Sequence, residues 1–112
     1  MTNTINVGIG GLGSIGMPVA RWLDAEVAGL SLAGVSAGNK EWAAERVSNF
    51  VSPPPVLDLP ELVSVSDVLV EALPPQHFGE LADLTMAAGK KLIVLSLTSL
   101  LPRLDLVDKA TE

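Results

Sequence analysis

The feature that most constrains the fold is a glycine cluster directly after a short alternating apolar segment. Ile5, Val7 and Ile9 alternate with Asn6 and glycine, which predicts a β-strand. From residue 14 to about residue 28, apolar residues recur at spacings of three and four, which predicts a helix. A strand, a glycine-rich turn and a helix in this order favour phosphate binding at the helix N-terminus.

The motif GxGxxG fits this cluster in two registers, one beginning at Gly8 and one at Gly11. The strand must end before the turn, and Ile9 belongs to the strand, so we choose the register that begins at Gly11. Gly11 then forms the turn, Gly13 lets a pyrophosphate approach the backbone, and Gly16 lets the helix pack on the strand. The predicted phosphate-binding residues are Gly11, Leu12, Gly13, Ser14, Ile15 and Gly16.

The rest of the chain alternates strands with helices. We predict further strands at residues 30–35, 55–57, 68–70 and 91–95, and further helices at 40–50, 60–63, 76–88 and 103–110. The strands at 68–70 and 91–95 are apolar on both faces, which is typical of a buried parallel sheet. We therefore expect one α/β domain over residues 1–112, a Rossmann-type doubly wound parallel sheet of about five strands.

The end of the second strand bears on the choice of dinucleotide. An NAD-selective site usually has an acidic residue there, about 20 residues beyond the glycine motif, and this chain has Ser36. A hydroxyl at Ser36, with Asn39 and Lys40 nearby, could accept a 2′-phosphate that a carboxylate would repel. Arg46 is a further candidate for this contact. We expect NADP, or mixed use of NADP and NAD. The alternative is that Lys40 and Arg46 are ordinary solvated helix charges.

Composition excludes several classes of function. The net charge of −6 divides into −1 over residues 1–56 and −5 over residues 57–112, which disfavours nucleic-acid binding. No apolar run approaches the roughly 18 residues of a membrane span, and no basic residue precedes the first apolar segment. We expect a cytoplasmic protein without membrane contact. With no Cys and a single His, no metal site is predicted.

Candidate catalytic groups are few, and we assign none. His77 is either a general base or a solvated residue at a helix start. Glu71 ends a central strand, where it either faces the crevice or accepts hydrogen bonds from loop amides. Trp22 and Trp42 fall on helix faces, where we expect them to pack rather than to stack on a ligand.

Three segments, at residues 11–16, 67–72 and 88–96, resemble the cofactor domain of the L-aspartate dehydrogenase family. The homoserine dehydrogenase cofactor domain is similar but less close. By position, the resemblance implies that the nicotinamide half of the cofactor is lined by Ala72, Leu73, Pro74, Ser96 and Ser99. The family usually has Ser-x-Gly-Ala-Leu where this chain has Ser-Leu-Thr-Ser-Leu at 96–100, which is a departure at the cofactor loop.

The resemblance implies oxidative deamination of a small amino acid, with hydride transfer to NAD(P). In that family the substrate site and the catalytic His lie in a second, C-terminal domain, so we expect these 112 residues to be a cofactor domain that is inactive alone. Three alternatives stay open. They are a stand-alone nucleotide-binding or regulatory module, a cofactor domain like those of β-hydroxyacid dehydrogenases, suggested by residues 17–20, and a scaffold without ligand that forms a homo-oligomer.

Overall fold

The computed structural model describes residues 4–13, 15–25 and 27–95, with the backbone alone at residue 75. These ranges contain four helices and four strands, one strand fewer than the sequence predicts. In chain order they are β1 (Ile5–Gly10), α1 (Gly16–Asp24), β2 (Leu30–Ser36), α2 (Lys40–Arg46), α3 (Leu59–Val65), β3 (Val68–Glu71), α4 (Pro75–Ala87) and β4 (Lys91–Val94).

The four strands form one parallel sheet in the order β2-β1-β3-β4. The chain passes from β1 to β2 on one side and later to β3 on the other side of β1, so the direction of winding reverses at β1. Apolar residues of α1 and α2 pack with Val7 and Ile9 on one face, while those of α3 and α4 pack with Leu69 on the other. The doubly wound α/β fold is therefore confirmed, with its switch point at the carboxyl end of β1.

The predicted third strand, at residues 55–57, is reduced to a single bridging residue. Val56 pairs with Val35 as an isolated parallel bridge beyond β2. The carbonyl of Pro55 accepts from the Val35 amide at 3.0 Å, and the Leu57 amide donates to the Val35 carbonyl at 2.8 Å. Three successive prolines at 53–55 have no amide hydrogens, so this segment cannot extend a ladder.

The helix bounds differ from the predicted ones mainly at the ends. Helix α1 begins at Gly16 rather than at residue 14, and Pro18 therefore lies in the first turn, where its missing N–H costs little. The same helix ends at Asp24, not near residue 28, and α2 ends at Arg46, not at residue 50. Helix α3 begins one residue before the predicted turn and ends two residues after it, and the Asp58 carboxylate caps its start, accepting from the Glu61 amide at 3.1 Å.

The predicted helix at 103–110 lies outside the described residues. Within the described ranges, the helices are too short or too polar for any of them to cross a bilayer.

Candidate functional site

The glycine loop follows β1 at the switch point. Strand β1 ends at Gly10, and Gly11 has a φ of 98°, a left-handed conformation that favours glycine. The Gly11 amide donates to the Ser36 carbonyl at 2.7 Å, and the Ala72 amide donates to the Gly10 carbonyl at 2.8 Å. These two bonds join the ends of β1, β2 and β3, so the three loops that follow these strands start from one edge. The turn comes after the strand, as the register beginning at Gly11 requires.

The glycines of the motif have different surroundings. A Cβ on Gly16 would collide with the carbonyl group of Gly11, and a Cβ on Gly11 would collide with the carbonyl group of Ala72. By contrast, a Cβ on Gly13 would meet no atom of the described residues within 4 Å. Packing among the described residues therefore requires glycine at positions 11 and 16 but not at position 13, which faces open space.

The N-terminus of α1 faces the same space. The Met17 amide donates to the Gly13 carbonyl at 3.0 Å, which closes the first helical bond. Ile15 is the N-cap residue, no side chain in the described residues caps the helix, and no acidic residue lies in its first turn. The first amides of a helix lack partners within the helix and carry partial positive charge, so this end of α1 can bind an anion.

A cleft of about 380 Å³ opens over the glycine loop. Seven of the predicted cofactor-binding residues, from the loops after β1 and β3, line this cleft. These are Gly11, Leu12, Gly13, Ile15, Ala72, Leu73 and Pro74. The two predicted halves of the dinucleotide site, phosphate loop and nicotinamide loop, thus lie along one continuous cleft.

A second cavity, of about 230 Å³, adjoins the cleft beyond the end of β2. The predicted residues Ser36 and Lys40 line it; Ser36 is buried and Lys40 is exposed. Its wall also contains the carboxylates Asp58 and Glu80. The polar groups around this cavity therefore include one lysine and two acidic residues, in addition to the serine hydroxyl and His77.

Five predicted residues are placed differently or are not described. Gly16 is buried beneath the loop and contacts Gly11 rather than lining the cleft. The Asn39 side chain caps α2, its Oδ1 accepting from the Trp42 amide at 2.9 Å, and Asn39 lines neither cavity. Ser14, Ser96 and Ser99 lie outside the described residues.

Further residues line the cleft besides those predicted to bind the cofactor. Ala37 and Gly38, in the loop after β2, and His77, in the first turn of α4, line both cavities. Trp42 also lines the main cleft and is 42% exposed. Trp22 is 55% exposed on α1 and does not line the cleft. The Asn39 cap was the available signal, because it places Trp42 in the first turn of α2, next to the end of β2.

Glu71 supports the loop after β3, which is the predicted nicotinamide loop. Its side chain is fully buried at the end of β3, and its Oε2 accepts from the Leu73 amide at 2.8 Å. This agrees with the interpretation that Glu71 accepts hydrogen bonds from loop amides. The carboxylate thereby orders the loop from Ala72 to Pro74 that lines the cleft.

Known proteins match this chain in sequence and in fold. Residues 11–112 match the family described as homoserine dehydrogenase, NAD binding domain. L-aspartate dehydrogenase 3 of Bordetella bronchiseptica is 36% identical over 107 residues, which are 95% of this chain and 39% of that relative. The chain thus spans well under half the length of this curated relative.

Two solved structures show the same fold at lower identity. The UDP-N-acetylglucosamine 3-dehydrogenase of Acidithiobacillus ferrooxidans has a TM-score of 0.76 at 22% identity, over 96% of this chain and 35% of that one. The scyllo-inositol dehydrogenase of Lactobacillus casei, solved with NAD(H) and scyllo-inositol, has a TM-score of 0.74 at 16% identity, over 97% of this chain and 34% of that one. A glycine loop at the switch point of a parallel sheet and a family match over most of the sequence lead to one assignment: the chain belongs to the family of homoserine dehydrogenase NAD-binding domains.

Proposed function

We propose that this chain is the cofactor-binding part of an oxidoreductase of the L-aspartate dehydrogenase type and holds the dinucleotide across the cleft described above. The observation that carries the proposal is Gly13. Its position leaves open space over the backbone at the N-terminus of α1, and no packing contact among the described residues accounts for a glycine there. A pyrophosphate fits such a place because it needs both close backbone approach and partial positive charge.

The residues along the cleft would hold the cofactor in two halves. The loop at 11–13 with Ile15 would bind the pyrophosphate through backbone amides, and the loop from Ala72 to Pro74 would line the nicotinamide. Ser36, Lys40 and the loop at 37–38 would surround the adenosine ribose. When bound, the cofactor supplies the acceptor for a hydride from Cα of the amino acid. The contribution of the protein is to position it.

Mixed use of NADP and NAD is the cofactor preference that the second cavity favours. Ser36 replaces the carboxylate that would repel a 2′-phosphate, and Lys40 adds a positive charge. Asp58 and Glu80 on the same wall offset that charge, although the Asp58 carboxylate also accepts from the Glu61 amide. We therefore expect affinities for NADPH and NADH within about tenfold of each other, a difference of roughly 1.4 kcal/mol.

Titration of the 112-residue chain with NADH and with NADPH tests the binding proposal. We expect saturable binding of both, followed by calorimetry or by the fluorescence of the reduced nicotinamide. Absence of binding of either dinucleotide at millimolar concentration would contradict the proposal.

The proposed reaction has a separate test. We propose that substrate binding and catalysis need a second domain, in the part of the curated relative that this chain does not span. The chain alone should not reduce NAD⁺ or NADP⁺ in the presence of L-aspartate. A chimera that joins it to the remaining residues of the Bordetella relative should do so. Aspartate-dependent reduction by the chain alone would overturn the proposed division of labour.

A further inference from the structure

Trp42 is a large apolar side chain that the fold leaves exposed on the wall of the cleft. Trp42 is 42% exposed. Ile15, which belongs to the glycine loop, is 52% exposed and lines the same cleft. Exposed apolar side chains that meet at a cavity indicate a surface that a ligand covers. The ligand group here must be apolar on one face.

Two contacts restrain Trp42, one through its backbone amide and one through its ring. The Trp42 amide donates to Asn39 Oδ1 at 2.9 Å, which fixes the first turn of α2. The guanidinium carbon of Arg46 lies 4.8 Å from the centre of the Trp42 ring, a cation–π contact. Arg46 is not among the residues that line the cleft, so its contact with the indole leaves the cavity open. The ring is therefore oriented before any ligand binds.

The position of Trp42 along the cleft selects which part of a dinucleotide it can meet. It lies with Ala37 and Gly38, after β2, whereas the predicted nicotinamide loop from Ala72 to Pro74 follows β3. The end of β2 is where the adenosine half binds in this fold. A flat adenine ring has an apolar face that can stack on indole, whereas ribose and pyrophosphate do not.

From these contacts we propose that the Trp42 indole stacks on the adenine base of the bound dinucleotide, with Arg46 on the opposite face of the indole. The inference rests on the proposed cofactor binding and adds a residue that sets base affinity. Because stacking depends on the base and not on the 2′ position, Trp42 contributes equally to NADH and NADPH binding.

Trp22 offers a matched control, because it is exposed on α1 and does not line the cleft. Affinities for NADH, ADP-ribose and nicotinamide mononucleotide are measured for the wild-type chain and for Trp42→Ala and Trp22→Ala. We expect Trp42→Ala to weaken NADH and ADP-ribose by a similar factor, about tenfold. Trp42→Ala should leave the affinity for nicotinamide mononucleotide unchanged, and Trp22→Ala should change none of the three affinities.

Intrinsic fluorescence gives a second readout that does not depend on affinity. In Trp22→Phe the remaining indole is Trp42, and ADP-ribose should quench its emission. In Trp42→Phe the remaining indole is Trp22, whose emission should not change.

The outcomes separate the stacking proposal from the binding proposal. Wild-type NADH binding together with unchanged affinity in Trp42→Ala, or with an unquenched Trp42, would overturn stacking and leave cofactor binding intact. No NADH binding by the wild-type chain would contradict both. A loss that affects nicotinamide mononucleotide as strongly as ADP-ribose would also overturn stacking, since it would indicate general damage to the cleft.

Discussion

The glycine loop has an inner side, which packs against the rest of the chain, and an outer side, which faces the cleft. Glycine occurs on the two sides for different reasons. On the inner side, any Cβ at Gly11 or Gly16 would run into backbone carbonyl groups. On the outer side, a Cβ at Gly13 would meet nothing in the described residues within 4 Å. Glycine raises the conformational entropy of the unfolded chain and so lowers stability, and at Gly13 the open space gained in return lies over the cleft.

The comparison separates folding from binding within six residues. Gly11 and Gly16 hold β1, α1 and the β3 loop in close contact, and their replacement should damage the fold first. Replacement of Gly13 should damage ligand binding first. The predictions that follow test this separation, from the largest expected effect to the smallest.

Gly16→Val should have the largest effect. The new side chain would overlap the Gly11 carbonyl, and neither backbone segment can move without displacing α1 from the sheet. We expect a loss of at least about 3 kcal/mol in the free energy of unfolding, or failure to fold. Urea denaturation followed by circular dichroism measures it. Gly13→Val is the matched control, and equal destabilisation of the two variants would break the distinction between inner and outer sides.

Gly13→Val should abolish dinucleotide binding while the chain stays folded. The valine side chain would occupy the space that the pyrophosphate needs, so the hydrogen bonds from the loop amides to the pyrophosphate would be lost. We expect affinity for NADH and NADPH to fall by at least about a hundredfold, with the free energy of unfolding changed by less than about 1 kcal/mol. Calorimetric titration and urea denaturation of one preparation give both quantities. Retained affinity would place the binding site elsewhere.

Ser36→Asp should change cofactor preference rather than overall binding. A carboxylate at the end of β2 can accept hydrogen bonds from ribose hydroxyls and repels a 2′-phosphate. We expect the ratio of NADH to NADPH affinity to rise by about tenfold. Ser64→Asp, which adds the same charge at an exposed position of α3, is the control and should leave the ratio unchanged. An unchanged ratio in Ser36→Asp would refute the assignment of the 2′ position to this cavity.

Asn39→Ala should have the smallest effect. It removes the side-chain acceptor of the Trp42 amide at the start of α2. Loss of an N-cap costs about 0.5–2 kcal/mol of stability, and Asn39→Asp should restore it. Thermal unfolding of the two variants measures the difference. Equal stability of Asn39→Ala and the wild-type chain would show that the cap does not hold α2.

The alternation of strands and helices could be predicted from the sequence because each element has a clear apolar period or an apolar run. The register of the glycine motif was also predictable, since Ile9 had to belong to β1. The segment at 55–57 was harder to predict. Val56 has a β-branched side chain, which is typical of strands, but it follows three prolines that cannot donate hydrogen bonds to a neighbouring strand.

The helix residues that line the cleft were predicted less completely than the loops that line it. Backbone motifs identify the loops after β1 and β3, whereas Trp42 and His77 reach the cleft through the starts of α2 and α4. Helical periodicity alone does not say whether a large aromatic residue faces the core or a cavity. Neighbouring residues of a helix point in different directions: Ala43 is buried in the core, and the adjacent Trp42 lines the cleft.

The central claim is that a dinucleotide lies on the outer side of the glycine loop. Backbone amide chemical shifts of the isotope-labelled chain, recorded by NMR with and without NADH, test it most directly. We expect the largest changes at Leu12, Gly13 and Ile15, smaller ones at 37–38 and 72–73, and none at Leu23 or Ser31 near the opposite end of the sheet. Shifts confined to the region of Leu23 and Ser31, or no shifts at a saturating concentration, would contradict it.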